Sequence, residues 1–178
     1  MGEDMASIII NANFSGGYAV EIPALMERTA SLKAIYEKHQ SRIYNLAFYL
    51  TDNEMTAEEI TARVFTNTFA VNATPSAEVL DRALVSELSA TTPIGTLSLD
   101  EPIVERTANA RKNVKRAVLE RAVMEIPETE RMIFLMHDVE GYDHSRIART
   151  LGISTDESTR GLHQARLAVR RAVTQIKF

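Results

Sequence analysis

Apolar residues recur along this sequence at intervals of three and four, and the alternating pattern of β-strands is scarce. The clearest stretch follows Ser31, where one predicted helix face carries Leu32, Ile35, Tyr36, His39, Ile43, Leu46, Ala47 and Leu50. This spacing places all of these side chains on one side of a helix, where they can be buried together. The pattern predicts an all-α protein.

Two further helices are predicted in the first half of the chain. Thr56 followed by Glu59 has the spacing of a capping box, which predicts a helix from there to about Phe69. A third helix is predicted over 77–88. The following stretch, residues 89–104, carries two prolines and a glycine among small polar residues and is predicted to be a linker.

The charge of the chain changes sign at this linker. The whole sequence has a net charge of −4, but residues 1–104 carry −8 and residues 105–178 carry +4. Such an asymmetry suggests two modules with different partners. We therefore divide the chain into an irregular arm over 1–28, a helical domain over 29–88, the linker, and a second helical domain over 105–178.

The second domain carries the signals of a helix-turn-helix. Pro127 suits the first turn of an apolar helix, and Asp143 can cap the short helix that follows. Gly152 is placed to end that helix, and Ser154 with Glu157 forms a capping box for a long last helix. A short helix, a turn with glycine and a longer capped helix favour DNA binding. A three-helix bundle with a solvated basic face fits the periodicity equally well.

If the last helix enters the major groove, its exposed side chains become the candidate DNA contacts. These are Thr155, Glu157, Thr159, Arg160 and His163 near the base edges, and Arg166, Arg170 and Arg171 toward the phosphates. Arginines there would supply affinity, and polar side chains would supply selectivity.

Two separate stretches resemble the bacterial extracytoplasmic-function sigma factors of the sigma-70 family. The later one resembles their region 4 and reads ETERMIFLMHDVEGYDHSRIARTLGISTDESTRGLHQARLAVRRAV. The earlier one resembles their region 2 and reads IYEKHQSRIYNLAFYLTDNEMTAEEITARVFTNTFA. Both occur in the order of the family and together span about two thirds of the chain.

The resemblance implies a two-domain, all-helical transcription initiation factor in the cytoplasm. Its region 2 would bind core RNA polymerase, with Glu58, Glu59, Arg63 and Asn67 as the polymerase-facing candidates. Its region 4 would recognise the −35 element of promoter DNA. The family also makes an anti-sigma factor a candidate partner.

The sequence departs from the family in the segment that would hold melted DNA. Residues 76–88 have no Trp, no Asn and one basic residue, Arg82, beside the acidic Glu78, Asp81 and Glu87. On the last helix, Ser158, Gly161 and Gln164 replace the usual Val, Arg and Arg. Two alternatives to a working sigma factor therefore stay open. One is a sigma-like regulatory or interaction protein with degraded promoter melting, and the other is a helix-turn-helix regulator that does not bind polymerase.

The residue content argues against an enzyme. The chain has no cysteine, no glycine-rich phosphate loop, and four histidines without close ligand spacing. We therefore expect no catalytic residue, no metal and no cofactor. The longest aliphatic run is three residues, Ile8 to Ile10, so no membrane insertion is expected either.

Overall fold

The computed structural model describes residues 22–98 and 116–175, and every regular element in these two ranges is a helix. The prediction of an all-α protein is confirmed. In chain order the helices are α1 (Ile22–Thr51), α2 (Glu54–Val71), α3 (Ala77–Ser89), α4 (Arg116–Met124), α5 (Glu128–Phe134), α6 (His144–Leu151) and α7 (Thr155–Gln175). A π-helical turn over Leu135–Val139 continues α5. The chain divides into two compact units between Thr91 and Thr92.

In the first unit, α1 packs along α2 and α3. Six of the eight residues predicted on its apolar face are buried: Leu32, Tyr36, Ile43, Leu46, Ala47 and Leu50. The ring of Tyr36 meets Phe65 of α2 edge to face, with centroids 4.9 Å apart. The three-to-four spacing therefore does place this face in a core.

The first helix starts earlier than the sequence predicts. It begins at Ile22, so residues 22–28, predicted as part of an irregular arm, are helical. Pro23 is compatible with this because the first turn of a helix leaves its backbone N–H groups without intrahelical partners. The rest of the predicted arm, residues 1–21, lies outside the described residues.

The predicted capping box of α2 is also wrong. Asn53 is the N-cap, and its side-chain oxygen accepts a hydrogen bond of 2.9 Å from the backbone N–H of Thr56. Thr56 thus lies inside the first turn, because the helix starts at Glu54, three residues earlier than a cap at Thr56 would place it. Glu59 is left exposed on the helix surface, 3.7 Å from Arg63.

In the second unit, α5, α6 and the described part of α4 pack against α7. The turn between α4 and α5 is held by the buried Arg131, whose guanidinium donates to the carbonyl oxygens of Met124 and Ile126 at 2.6 to 2.9 Å. Met124 is the last residue of α4, and Ile126 lies in the turn that follows, so neither carbonyl has a partner within the helix and Arg131 satisfies both. Residues 105–115 of the predicted second domain lie outside the described residues.

Residues 92–98, predicted as linker, belong to the second unit and lie against α5. We call them the strap segment. Thr129 donates through its hydroxyl to the carbonyl oxygen of Pro93 and accepts from the N–H of Gly95, both at 3.2 Å. The N–H of Ser98 donates to the carboxylate of the buried Glu130 at 2.6 Å. This part of the predicted linker is therefore not a free connection, and residues 99–104 lie outside the described residues.

The strap segment explains why a glycine occupies the middle of α7. A Cβ atom on Gly161 would lie 2.6 Å from Cδ1 of Ile133 and 2.8 Å from Cδ2 of Leu97. Glycine inside a helix costs about 1 kcal/mol relative to alanine. Here it allows α5 and the strap segment to approach the helix backbone, which a larger residue would prevent.

Candidate nucleic-acid interface

The helix-turn-helix predicted from the sequence is present over α6 and α7. Asp143 caps α6 by accepting a hydrogen bond of 2.7 Å from the N–H of Arg146. Gly152 ends α6 in the left-handed conformation, at φ +70°, as expected for a glycine in this place. The Ser154–Glu157 capping box is confirmed: the Glu157 carboxylate accepts from the N–H of Ser154 at 2.8 Å, and the Ser154 hydroxyl accepts from the N–H of Glu157 at 3.1 Å.

The capping box changes how Glu157 can act. Its carboxylate also accepts from the Ser154 hydroxyl at 2.7 Å. The hydrogen bonds from the backbone and the side chain of Ser154 hold the pKa of Glu157 below its ordinary value. This candidate DNA contact is therefore engaged at the start of α7, where it fixes the helix end.

The other candidate contacts on α7 fall into two groups by exposure. The exposed members are Thr155, Thr159, Arg160, Arg166, Arg170 and Arg171, whereas His163 is half-buried. Thr155, Thr159, His163, Arg166 and Arg170 follow each other at three or four residues and form one stripe along the helix. We call these five residues the polar stripe.

One arginine of the polar stripe is held by a carboxylate from the π-helical turn. Arg166 donates through Nε to Oδ2 of Asp138 at 2.9 Å and through Nη2 to Oδ1 at 2.5 Å. The hydrogen bond from Arg166 lowers the pKa of Asp138, and the same bond raises the pKa of Arg166. The arginine side chain is still 47 % exposed, so its orientation is fixed while it remains accessible.

Ser158, one of the departures from the family, has a partner on α6. Its hydroxyl lies 3.0 Å from Nδ1 of His144, and Ser158 itself is fully buried. The His144 ring stacks on His137, with centroids 4.8 Å apart and planes inclined by 29°. The hydroxyl therefore ties α6 to α7 where an apolar residue was expected.

His137, Asp138 and Ser158 were not among the sequence-based candidates. His137 and Asp138 lie on the π-helical turn, and Nδ1 of His137 is 2.9 Å from Oδ1 of Asp138. Asp138 and Arg166 are 28 positions apart in the sequence, so no local spacing rule connects them. One sequence signal could have identified His137 and Asp138: a histidine and a carboxylate come shortly before the predicted helix-turn-helix.

On the first unit, three of the four polymerase-facing candidates meet along α2. Arg63 donates through Nε to Glu87 of α3 at 2.9 Å, and Asn67 donates to the other oxygen of Glu87 at 3.0 Å. Glu59 lies beside Arg63. Glu58 lies apart from them and lines a cavity of about 360 Å³ against α1, together with Tyr36, Gln40, Ser41, Tyr44, Asn45 and Thr61.

The acidity of residues 76–88 is less exposed than the sequence suggests. Asp81 is fully buried and forms an ion pair with Arg42 of α1. Glu87 is engaged by Arg63 and Asn67. Two of the three acidic side chains in this segment are thus neutralised or engaged within the first unit, because they lie on faces of α3 that pack on α1 and α2.

Comparison with known proteins bears on the second unit. Residues 116–169 match the family model described as Sigma-70, region 4, which covers 54 of the 178 residues. No curated protein matches the chain significantly. Among the described helices, none has the length and apolar content needed to cross a membrane. The match includes α6, the turn and the first fifteen residues of α7, and it ends before Arg170. Residues 116–169 are therefore similar to region 4 of the sigma-70 proteins, which supports a role of the second unit in DNA binding and transcription.

Proposed function

We propose that this protein is a sigma factor of the extracytoplasmic-function type. In this proposal, residues 105–178 recognise the −35 element of promoter DNA, and residues 29–88 bind core RNA polymerase, with residues 89–104 connecting them. The protein would act in the cytoplasm, where polymerase and promoter DNA are found, and an anti-sigma factor would be a further partner.

One observation carries the proposal: the polar stripe lies on the capped second helix of a helix-turn-helix, and all of it except Arg170 falls inside the region 4 match. In this motif the N-terminal half of the second helix contacts base edges in the major groove. Thr155 and Thr159 occupy that half. Arg166 and Arg170 lie about two and three turns beyond Thr159, where guanidinium groups can reach phosphates.

The proposed polymerase contact rests on α2 of the first unit. Glu58, Glu59, Arg63 and Asn67 are all exposed there. The Arg63–Glu87–Asn67 network fixes two of these side chains, which reduces the entropy they would lose on binding a partner.

A second candidate is a sigma-like regulator that binds polymerase or DNA without opening the promoter. The observation that favours it is the composition of α3, which offers Arg82 as its basic side chain and has neither Trp nor Asn. Capture of flipped bases needs stacking surfaces and hydrogen-bond donors, and phosphate contacts need positive charge. The burial of Asp81 weakens this argument without removing it.

Transcription from a promoter library distinguishes the two. Core polymerase and the full chain would be incubated with a pool of random upstream sequences fused to a reporter transcript, and run-off products would be sequenced. A sigma factor yields start sites that share an upstream motif and need the added chain. Retention of core polymerase without any start site would favour the regulator instead.

A further inference from the structure

Two histidines from neighbouring elements meet beside the ion pair that fixes Arg166. His137 lies on the π-helical turn and His144 begins α6, and their rings stack 4.8 Å apart. His137 contacts Asp138 through Nδ1 at 2.9 Å. The two rings, the carboxylate and the guanidinium thus form one cluster next to the polar stripe.

The groups around His144 on balance oppose its protonation. Arg166 faces it as a cationic group and the His137 ring stacks on it, whereas Asp138 is bound to Arg166 and Asp143 caps α6. Burial lowers the pKa of His144, and His137 and Arg166 lower it further, whereas Asp143 raises it. The free protein therefore disfavours the protonated form of His144.

A phosphodiester bound near Arg166 would reverse this balance. The cluster reaches the surface through Arg166 and through His137, whose side chain is 30 % exposed. A phosphate held there would add a negative charge beside the ring pair. A nearby anion favours the charged form of histidine, so binding and protonation would strengthen each other.

We propose that the stacked rings of His137 and His144 are a proton-linked phosphate contact, so that DNA binding by the second unit takes up a proton. The proposal rests on the proposed DNA-binding function. It adds two contact residues that the helix-turn-helix pattern does not identify. Its consequence is that affinity for DNA rises as the pH falls through the range in which histidine titrates.

The test measures the affinity of the full chain for a duplex of random sequence, since phosphate contacts do not depend on sequence. Fluorescence anisotropy at constant low salt would cover about pH 5.5 to pH 8, where histidine titrates. We expect the wild type to bind about three- to tenfold more tightly at the acidic end, as the uptake of up to one proton allows. The double variant His137→Asn with His144→Asn should bind with little pH dependence.

Asparagine is chosen because its amide can replace the Nδ1 hydrogen bonds to Asp138 and Ser158 without titrating. His39→Asn in the first unit is the matched control and should retain the pH dependence of the wild type. Circular dichroism at each pH shows whether every variant is folded, and ring-proton NMR of the wild type should show His144 titrating at higher pH with DNA bound.

The outcomes separate the two proposals. DNA binding that is independent of pH in the wild type would overturn the ring-pair contact and leave the DNA-binding function standing. An equal pH dependence in the double variant would also overturn it. Absence of DNA binding at every pH would overturn both. If the double variant does not fold, an unchanged NMR titration of His144 on DNA addition overturns the contact, and a shift to higher pH supports it.

Discussion

Arg166 on α7 and Asp138 on the π-helical turn are joined by two hydrogen bonds, of 2.5 and 2.9 Å. Two parallel bonds between a guanidinium and a carboxylate fix the plane of the arginine as well as its position. Arg166 is a member of the polar stripe, so Asp138 fixes the orientation of a candidate DNA contact. The arginine is therefore pre-oriented before DNA arrives, which lowers the entropy lost on binding.

We expect Arg166→Ala and Arg170→Ala each to weaken DNA binding and to reduce its salt dependence. A phosphate contact contributes about one unit to the slope of log affinity against log salt concentration. Titrations of the full chain against a random duplex at several salt concentrations measure this slope. Lys33→Ala in the first unit removes the same charge and should leave the slope unchanged. An unaltered slope in both arginine variants would rule out the assignment.

Asp138→Asn should separate affinity from selectivity. Removal of the carboxylate raises the net charge of the surface, so binding to a random duplex should become tighter and more dependent on salt. Phosphate contacts carry no sequence information, so discrimination between a selected and a random duplex should stay the same. Competition binding with the two duplexes measures both quantities. Reduced discrimination with unchanged affinity for the random duplex would contradict the assignment of Arg166 to a phosphate.

Gly161→Ala should destabilise the second unit, contrary to the usual effect of this substitution in a helix. Alanine normally gains about 1 kcal/mol over glycine in helix interiors. Here the added Cβ would meet Ile133 and Leu97 at 2.6 and 2.8 Å. Overpacking of this kind costs about 1 to 3 kcal/mol.

Denaturant unfolding followed by circular dichroism measures this loss. Leu97→Ala removes one of the two side chains that clash with the added Cβ. Gly161→Ala should therefore lower the free energy of unfolding less in the Leu97→Ala background than in the wild type. If Gly161→Ala alone raises the free energy of unfolding, the strap segment does not pack on α7 as described.

Removing one partner of the buried ion pair between Arg42 and Asp81 should lower the free energy of unfolding. Asp81→Ala leaves the guanidinium of Arg42 in a site where its side chain is 13 % exposed. Removal of one member of a buried ion pair costs about 3 to 5 kcal/mol. Urea unfolding of the full chain measures the change. Glu78→Ala, on the same helix but half-buried, is the control and should cost much less; equal losses would contradict the role of the pair.

The stability of the second unit should fall when the pH is lowered through the range of histidine titration. The folded pKa of His144 lies below its ordinary value of 6.5, so the unfolded chain takes up the proton first. The stabilisation from neutral His144 is present above that value and is lost as the pH falls toward the folded pKa. Thermal unfolding of the wild type and of His144→Asn at several pH values measures this, and a parallel decline in both would contradict it.

Local features of this fold follow from the sequence, and the contacts between distant residues do not. The caps at Asp143, Gly152 and Ser154 depend on neighbouring backbone groups, so short spacing rules identify them. The Asn53 cap was missed because Thr56 and Glu59 offered a competing box three residues later. Range 22–28 was misjudged because of Pro23, and range 92–98 because of Pro93 and Gly95, since these residues were taken as signs of irregular chain.

In the candidate site too, the sequence predicts local features but not the contacts between distant residues. The arginines of α7 and their exposure could be predicted from helical spacing. The engagement of Arg166 by Asp138 could not, nor could the partnership of Ser158 with His144, because each joins separate elements through tertiary packing. Asp81 was counted as surface acidity for the same reason, whereas its partner Arg42 lies 39 positions earlier on another helix.

The most direct test of the sigma-factor proposal is retention of core RNA polymerase by the immobilised full chain, with and without promoter DNA from the selected library. We expect retention without DNA, reduced by Glu58→Ala with Glu59→Ala and unchanged by the matched acidic pair Glu27→Ala with Glu37→Ala on α1. Promoter DNA should be retained in a core-dependent manner. DNA binding by the chain with no retention of core polymerase would contradict the proposal and indicate a helix-turn-helix regulator.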